Sequence, residues 1–97
     1  MEIIIKEPKH APYTATIDGT LKSMQSVVGG YIETVPFLPS VQMVCNEEGK
    51  LLDLPLNFNL WGDPIVGTVF FCGLNATQDD LDSILPEEVD RILRIFS

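Results

Sequence analysis

Apolar and polar residues alternate with period two in two segments of the chain. Residues 13–18 (YTATID) set Tyr13, Ala15 and Ile17 against Thr14, Thr16 and Asp18. Residues 31–35 (YIETV) set Tyr31, Glu33 and Val35 against Ile32 and Thr34. That period predicts half-buried strands. A short β-rich run, EIIIK at 2–6, precedes the first of them, and Pro8 and Pro12 punctuate the gap. The two runs are expected to pair as a hairpin with 7–12 as its loop. Between the alternating segments the period changes. Leu21, Met24 and Val28 recur at i, i+3 and i+7, one face of a helix of about ten residues. Asp18 or Thr20 can cap its start, and Gly29-Gly30 stops it.

Beyond residue 35 the pattern is less regular. PFLPS at 36–40 breaks the strand, and VQMVCN at 41–46 reads as the next one. EEGK at 47–50 reads as a turn with Gly49 at positive φ, and LLDL at 51–54 as the returning partner. Residues 55–64 read as an irregular loop carrying Asn57, Asn59 and Trp61. The most apolar run, IVGTVFFCG at 65–73, is the expected central strand. The C-terminus predicts two helical pieces separated at Pro86. The first, 78–84, would be capped by Thr77 with Asp80 at its third position. The second, 86–96, carries the stripe Val89, Ile92, Leu93 and Phe96. The order β-β-α-β-β-β-α gives an α+β fold: a mostly antiparallel or mixed sheet of about five strands with one short helix and a C-terminal helix packed on it. At 97 residues the chain is expected to form a single domain, 1–97.

Composition narrows the function classes. Fourteen acids against six Lys and Arg give a net charge of −8. A general nucleic-acid binder needs the opposite sign, and so does docking on an anionic membrane. The charge is concentrated late: residues 1–50 carry −2 and residues 51–97 carry −6. Asp79, Asp80 and Asp82 would form an acidic stripe at a helix start, suited to a protein partner with a basic surface. No cofactor is expected. His10, the one histidine, reads as a solvated loop residue, and no metal-ligand set or catalytic residues can be assembled around it. Cys45 and Cys72, 27 residues apart in apolar runs, read as reduced, buried thiols. With neither a signal-peptide core nor a run of about 20 apolar residues, the expectation is a cytoplasmic protein.

The polar residues set among apolar ones are the remaining candidates. Asn46 ends a strand, Glu47 follows it, and Asn57 lies between Leu56 and Phe58. An asparagine so placed must satisfy its amide, and most often does so by bonding backbone and fixing a loop. The alternative is a pocket, in a small-ligand binder or enzyme, that uses the Asn57–Trp61 loop with Tyr31 and Trp61 as aromatic walls. A structural or oligomerising module is the third reading.

Three segments, IDGTLKSMQSVVGGYIETV, VCNEEGKLLDLPLNFNL and DPIVGTVFFCGL, together resemble a family known as domain of unknown function 3846. The joint order of VGGYIE, NEEGK, LPLN and GT carries the resemblance over roughly residues 3–74, leaving the acidic segment 77–97 outside it. Where the family has a basic residue, typically Arg, after the second asparagine motif, this chain has Phe58. The resemblance implies a phage or mobile-element context and an accessory or host-interaction role; on that basis the leading expectation is a non-enzymatic domain that binds a host or element-encoded protein. It implies no catalytic residues.

Overall fold

A computed structural model describes all of residues 1–97. Its centre is the strand β7 (Val69–Leu74), with neighbours on both sides. On one side lies β1 (Glu2–Lys6), then β2 (Tyr13–Thr16); on the other, β4 (Val41–Asn46), then β3 (Ile32–Leu38). All these pairings are antiparallel. A two-residue strand, β8 (Leu81–Asp82), also pairs with β7 at Gly73 and Leu74. The remaining strands, β5 (Leu56–Leu60) and β6 (Asp63–Val66), form a separate hairpin.

The absence of alternation in β7 has a simple cause. Val69 to Cys72 are each fully buried because the sheet is covered on both faces. On one face α1 (Leu21–Val28) sets Met24 and Val28 against Ile3, Val44, Phe70 and Cys72. On the other, α2 (Pro86–Ile95) and the β5–β6 hairpin cover Ile4, Val41, Met43, Val69 and Phe71. A strand apolar on one face only would alternate; one buried on both cannot. β2, at an edge, keeps the alternation but little of the burial, with Tyr13, Thr14 and Thr16 exposed.

The helices follow their local signals. Thr20 caps α1, its hydroxyl accepting from the Ser23 amide, while Asp18 in turn accepts from the Thr20 amide and hydroxyl. Gly29 ends the helix in the left-handed conformation (φ 81°). In α2, Pro86 fills the first turn and Glu87 and Glu88 suit the positive end of the dipole. The predicted stripe is the docking face. Ile92 is fully buried, and Val89, Leu93 and Phe96 pack on the same core. The Phe96 ring meets Phe58 edge-on at 4.8 Å. Phe58 thus serves this chain as an aromatic support for the end of α2.

The strands number eight rather than about five, and the differences have local reasons. The strand at 31–35 runs on through Pro36 to Leu38; β3 is an edge strand, where a missing N–H is tolerated, and the register shifts there. The run 65–73 is split at Gly67-Thr68 between two sheets. Residues 51–54 form no strand. They complete a compact turn in which Leu52 and Leu54 donate to the carbonyls of Glu48 and Gly49. The left-handed residue of that turn is Asp53 (φ 56°), not Gly49. Gly49 is required by space: an added Cβ would lie 3.0 Å from Val66 Cγ2 and 3.3 Å from the Asn46 carbonyl.

The expected helix at 78–84 does not form. Asn75 Oδ1 accepts from the amides of Asp79 and Asp80, and Asp79 is bonded by the side chains of Asn75 and Thr77. Asp80 and Asp82 each accept from the next residue's amide. Side chains that bond nearby backbone compete with a helix. The segment then extends along β7, and the Ser83 carbonyl passes over Gly73, where a Cβ would sit 2.6 Å away. Glu2 and Ile84 complete this junction through Glu2 N–H to Ser83 Oγ and Ile84 N–H to the Glu2 carbonyl.

Candidate functional site

Three of the candidate residues meet where β3 begins and β4 ends. Asn46 is buried. Its amide donates to the Val28 carbonyl at the end of α1, and its Oδ1 accepts from the Glu48 amide to start the 47–53 turn. Gly30 leaves room for this: a Cβ there would stand 2.8 Å from Asn46 Nδ2. Glu47, exposed, donates its backbone N–H to the Tyr31 carbonyl at 2.8 Å, and Tyr31 points its ring to solvent (63% exposed).

Asn57 lies elsewhere and in a strand, not a loop. Its Nδ2 donates to the carbonyls of Lys6 and Gly67, both at 2.8 Å, and its Oδ1 accepts from Lys6 Nζ at 3.0 Å. Lys6 is itself buried. Its ammonium also donates to the Glu7 carbonyl and lies 5.9 Å from the centre of the Phe96 ring. Burial holds its pKa below the usual lysine value. Asn57 therefore staples the base of the β5–β6 hairpin to β1. The amides of Asn46 and Asn57 are engaged by the fold, so neither is free to line an Asn57–Trp61 pocket.

Trp61 is the opposite case. It occupies the tip of the hairpin with Gly62, and both have positive φ (50° and 83°). Leu60 pairs directly with Asp63, so the turn has two residues and the type I′ geometry that matches strand twist. Such turns favour Asn-Gly; a tryptophan at positive φ is strained. Trp61 is also 81% exposed. Beside the hairpin, Leu51 in the 47–53 turn is 85% exposed, and the Lys50–Asp63 ion pair (2.7 Å) joins the two elements.

Between them lies a cleft of about 160 Å³. Val35, Cys45 and Ile65 contribute apolar lining, and Glu33, Glu47, Lys50, Leu51 and Asp63 also line it. Glu33 and Cys45 are cross-strand partners. Burial, then Glu33 and Asp63, push the Cys45 thiol up to about 11. The fully buried Cys72 is pushed up to about 12, chiefly by burial. Neither cysteine has the electropositive surroundings that activate a thiol.

Asp79, Asp80 and Asp82 do not share this surface. Asp79 and Asp80 line a separate open depression of about 450 Å³ with Thr34 and Gln42, whose strand positions face the α1 side of the sheet. Asp82 lies on β8. The acidic helical stripe is therefore replaced by a bonded turn and a short strand. Hydrogen bonds from Thr77 and Asn75 hold the Asp79 carboxyl below its ordinary pKa.

Glu33, Lys50, Leu51 and Asp63 were not legible as one site. A signal existed for Glu33, which alternates with Val35 on the core-facing side of its strand. Leu51 was hidden by reading 51–54 as a strand. No helix is long and apolar enough to cross a membrane. No curated protein and no solved structure matches the chain significantly. The family model described as Domain of unknown function (DUF3846) matches residues 1–97, including the segment 77–97 left outside the sequence resemblance, and the chain belongs to that family.

Proposed function

We propose that the protein is a non-enzymatic, cytoplasmic interaction domain of a phage or other mobile element. It binds a host or element-encoded protein with a basic surface. The observation that carries this reading is Trp61, whose exposure and left-handed backbone no packing contact within the chain explains. Strain of this kind costs on the order of 1–3 kcal/mol and points to function when the fold does not require it. Tryptophan is also among the residues that dominate binding at protein interfaces. The net charge of −8 favours a basic partner. The binding surface is the face formed by the 47–53 turn and the hairpin tip, with Tyr31 at its edge.

Affinity capture from a host lysate tests this, using wild type, Trp61→Asn and the Asp79→Asn/Asp80→Asn/Asp82→Asn variant at low and moderate salt. The expected result is a salt-sensitive protein held by wild type and by the triple variant, and lost from Trp61→Asn. Loss from the triple variant alone would move the surface to the 79–82 segment. Capture unaffected by either would overturn the assignment. A wild type that captures nothing and elutes as a dimer in sizing chromatography would favour the oligomerising module.

A further inference from the structure

The cleft beneath Leu51 says what part of a partner this face receives. We propose that it is a socket for one lysine or arginine side chain of a protein partner, with Leu51 and Trp61 holding the apolar residues on either side of that cation. The inference rests on the interaction reading above and adds the chemistry of the occupant.

Size gives the first argument. Pockets for cofactors and drug-sized ligands run to about 300–1,000 Å³, and this one has about 160 Å³. It has room for a side chain rather than a nucleotide. The lining gives the second. Val35, Cys45 and Ile65 offer an apolar surface, and the thiol among them stays protonated at neutral pH. Long basic side chains lay an aliphatic stem on such a surface while the charged head stays in polar surroundings.

Charge gives the third. Glu33, Glu47 and Asp63 line the cleft, and Lys50 is the one cation among the lining residues. Lys50 is bonded to Asp63 at 2.7 Å. Glu33 and Glu47 make no ion pair in the fold and stand ready for an external cation. Both Glu33 and Asp63 act on Cys45, which places their charges around the same space. An anionic ligand would meet repulsion on these sides.

The surroundings give the fourth. An acidic cleft alone could be a solvated groove. This one adjoins Leu51 at 85% exposure, and Trp61, at 81%, stands two residues from Asp63 on the hairpin. Rim acids and exposed apolar anchors complement a peptide in which a cation is flanked by apolar residues.

The test is an NMR titration of the isotope-labelled full chain with three peptides: acetyl-Leu-Arg-Leu-amide, acetyl-Leu-Lys-Leu-amide and the neutral analogue with citrulline in the centre. The expected result is saturable shifts at Glu33, Cys45, Glu47 and Ile65 with a cationic peptide. Affinity for the citrulline peptide should be at least tenfold lower. Glu33→Gln/Glu47→Gln should weaken cationic binding at least fivefold; both side chains are exposed, so the denaturation midpoint serves as the control for folding. Equal binding of the neutral peptide, shifts confined to Asp79 and Asp80, or no shifts at all would overturn the socket.

The two proposals fail separately. A captured protein that depends on Trp61 but not on Glu33 and Glu47, with no peptide shifts, removes the socket and keeps the interaction domain. Peptide shifts in the cleft with no protein captured support the cation-binding chemistry of the cleft and remove the lysate partner.

Discussion

Asn57 and Trp61 lie four residues apart on one hairpin and are used in opposite ways. Asn57, at the base, spends its amide on two backbone carbonyls and a buried ammonium. Trp61, at the tip, contributes little to packing and holds a backbone conformation that another residue would adopt at lower cost. Both were candidates for one binding loop because both are conspicuous in the sequence. The structure separates them: the base of the hairpin is bonded into the fold, and the tip stands exposed to solvent. A polar residue in an apolar setting is compelled to find partners, and the nearest are backbone groups. A large apolar residue in water is under no such compulsion, so its exposure says more.

The comparison breaks most directly at Asn57. Asn57→Ala would leave Lys6 Nζ short of an acceptor and two carbonyls short of a donor. We expect a loss of about 2–3 kcal/mol, or roughly 10–20 °C in Tm for a domain of this size. Urea and thermal unfolding followed by circular dichroism measure it; a loss under 0.5 kcal/mol, on the scale of an ordinary surface change, would show that the staple carries no weight.

A smaller effect of opposite sign is expected at the tip. Trp61→Asn supplies the residue that a type I′ turn prefers and should stabilise the fold by about 0.5–1 kcal/mol. The same variant should abolish partner capture, so stability and function would diverge at one residue. Destabilisation of about 1 kcal/mol or more in the same unfolding assay would mean that the ring packs in solution and would remove the argument from strain.

The smallest effect concerns Asp18, outside the hairpin and fully exposed. Hydrogen bonds from Thr20 hold its carboxyl at about 2, against an ordinary 3.8. A lowered carboxylate pKa adds stability above the unfolded value, and that contribution is lost as pH falls through the folded one. Stability of the wild type should therefore decline between about pH 4 and pH 2. Asp18→Asn, which keeps the acceptor oxygen, should decline less over the same window. Unfolding curves at stepped pH decide it, and parallel declines would show that the Thr20 bonds do not persist in solution.

Local patterns carried much of the architecture. The Thr20 cap, the Gly29 stop and the stripe on α2 each depend on residues within one or two turns, and each formed as its sequence predicts. So did the β1–β2 hairpin and the central place of β7, an apolar run that only a strand covered on both faces can bury. Where signals competed, reading along the chain failed. Asp79, Asp80 and Asp82 suit a helix start by charge, yet the same short side chains bond nearby amides, and the open end of β7 supplies a pairing partner that a helix would forgo.

The candidate site was less legible still. Sequence marked Asn46, Glu47, Tyr31 and Trp61, but their relation depends on how the hairpin lies against the ends of β3 and β4. The cleft takes its lining from residues as distant along the chain as Glu33 and Val66. By itself the sequence determined the α+β class, the helix termini and the acidic charge, because capping, periodicity and composition are local or additive. Only the tertiary structure decided that Asn57 is consumed, that Glu33 and Asp63 share a cleft, and that Asp79 and Asp80 face away from it. Those facts depend on which backbone groups and side chains are neighbours in space, and packing sets them.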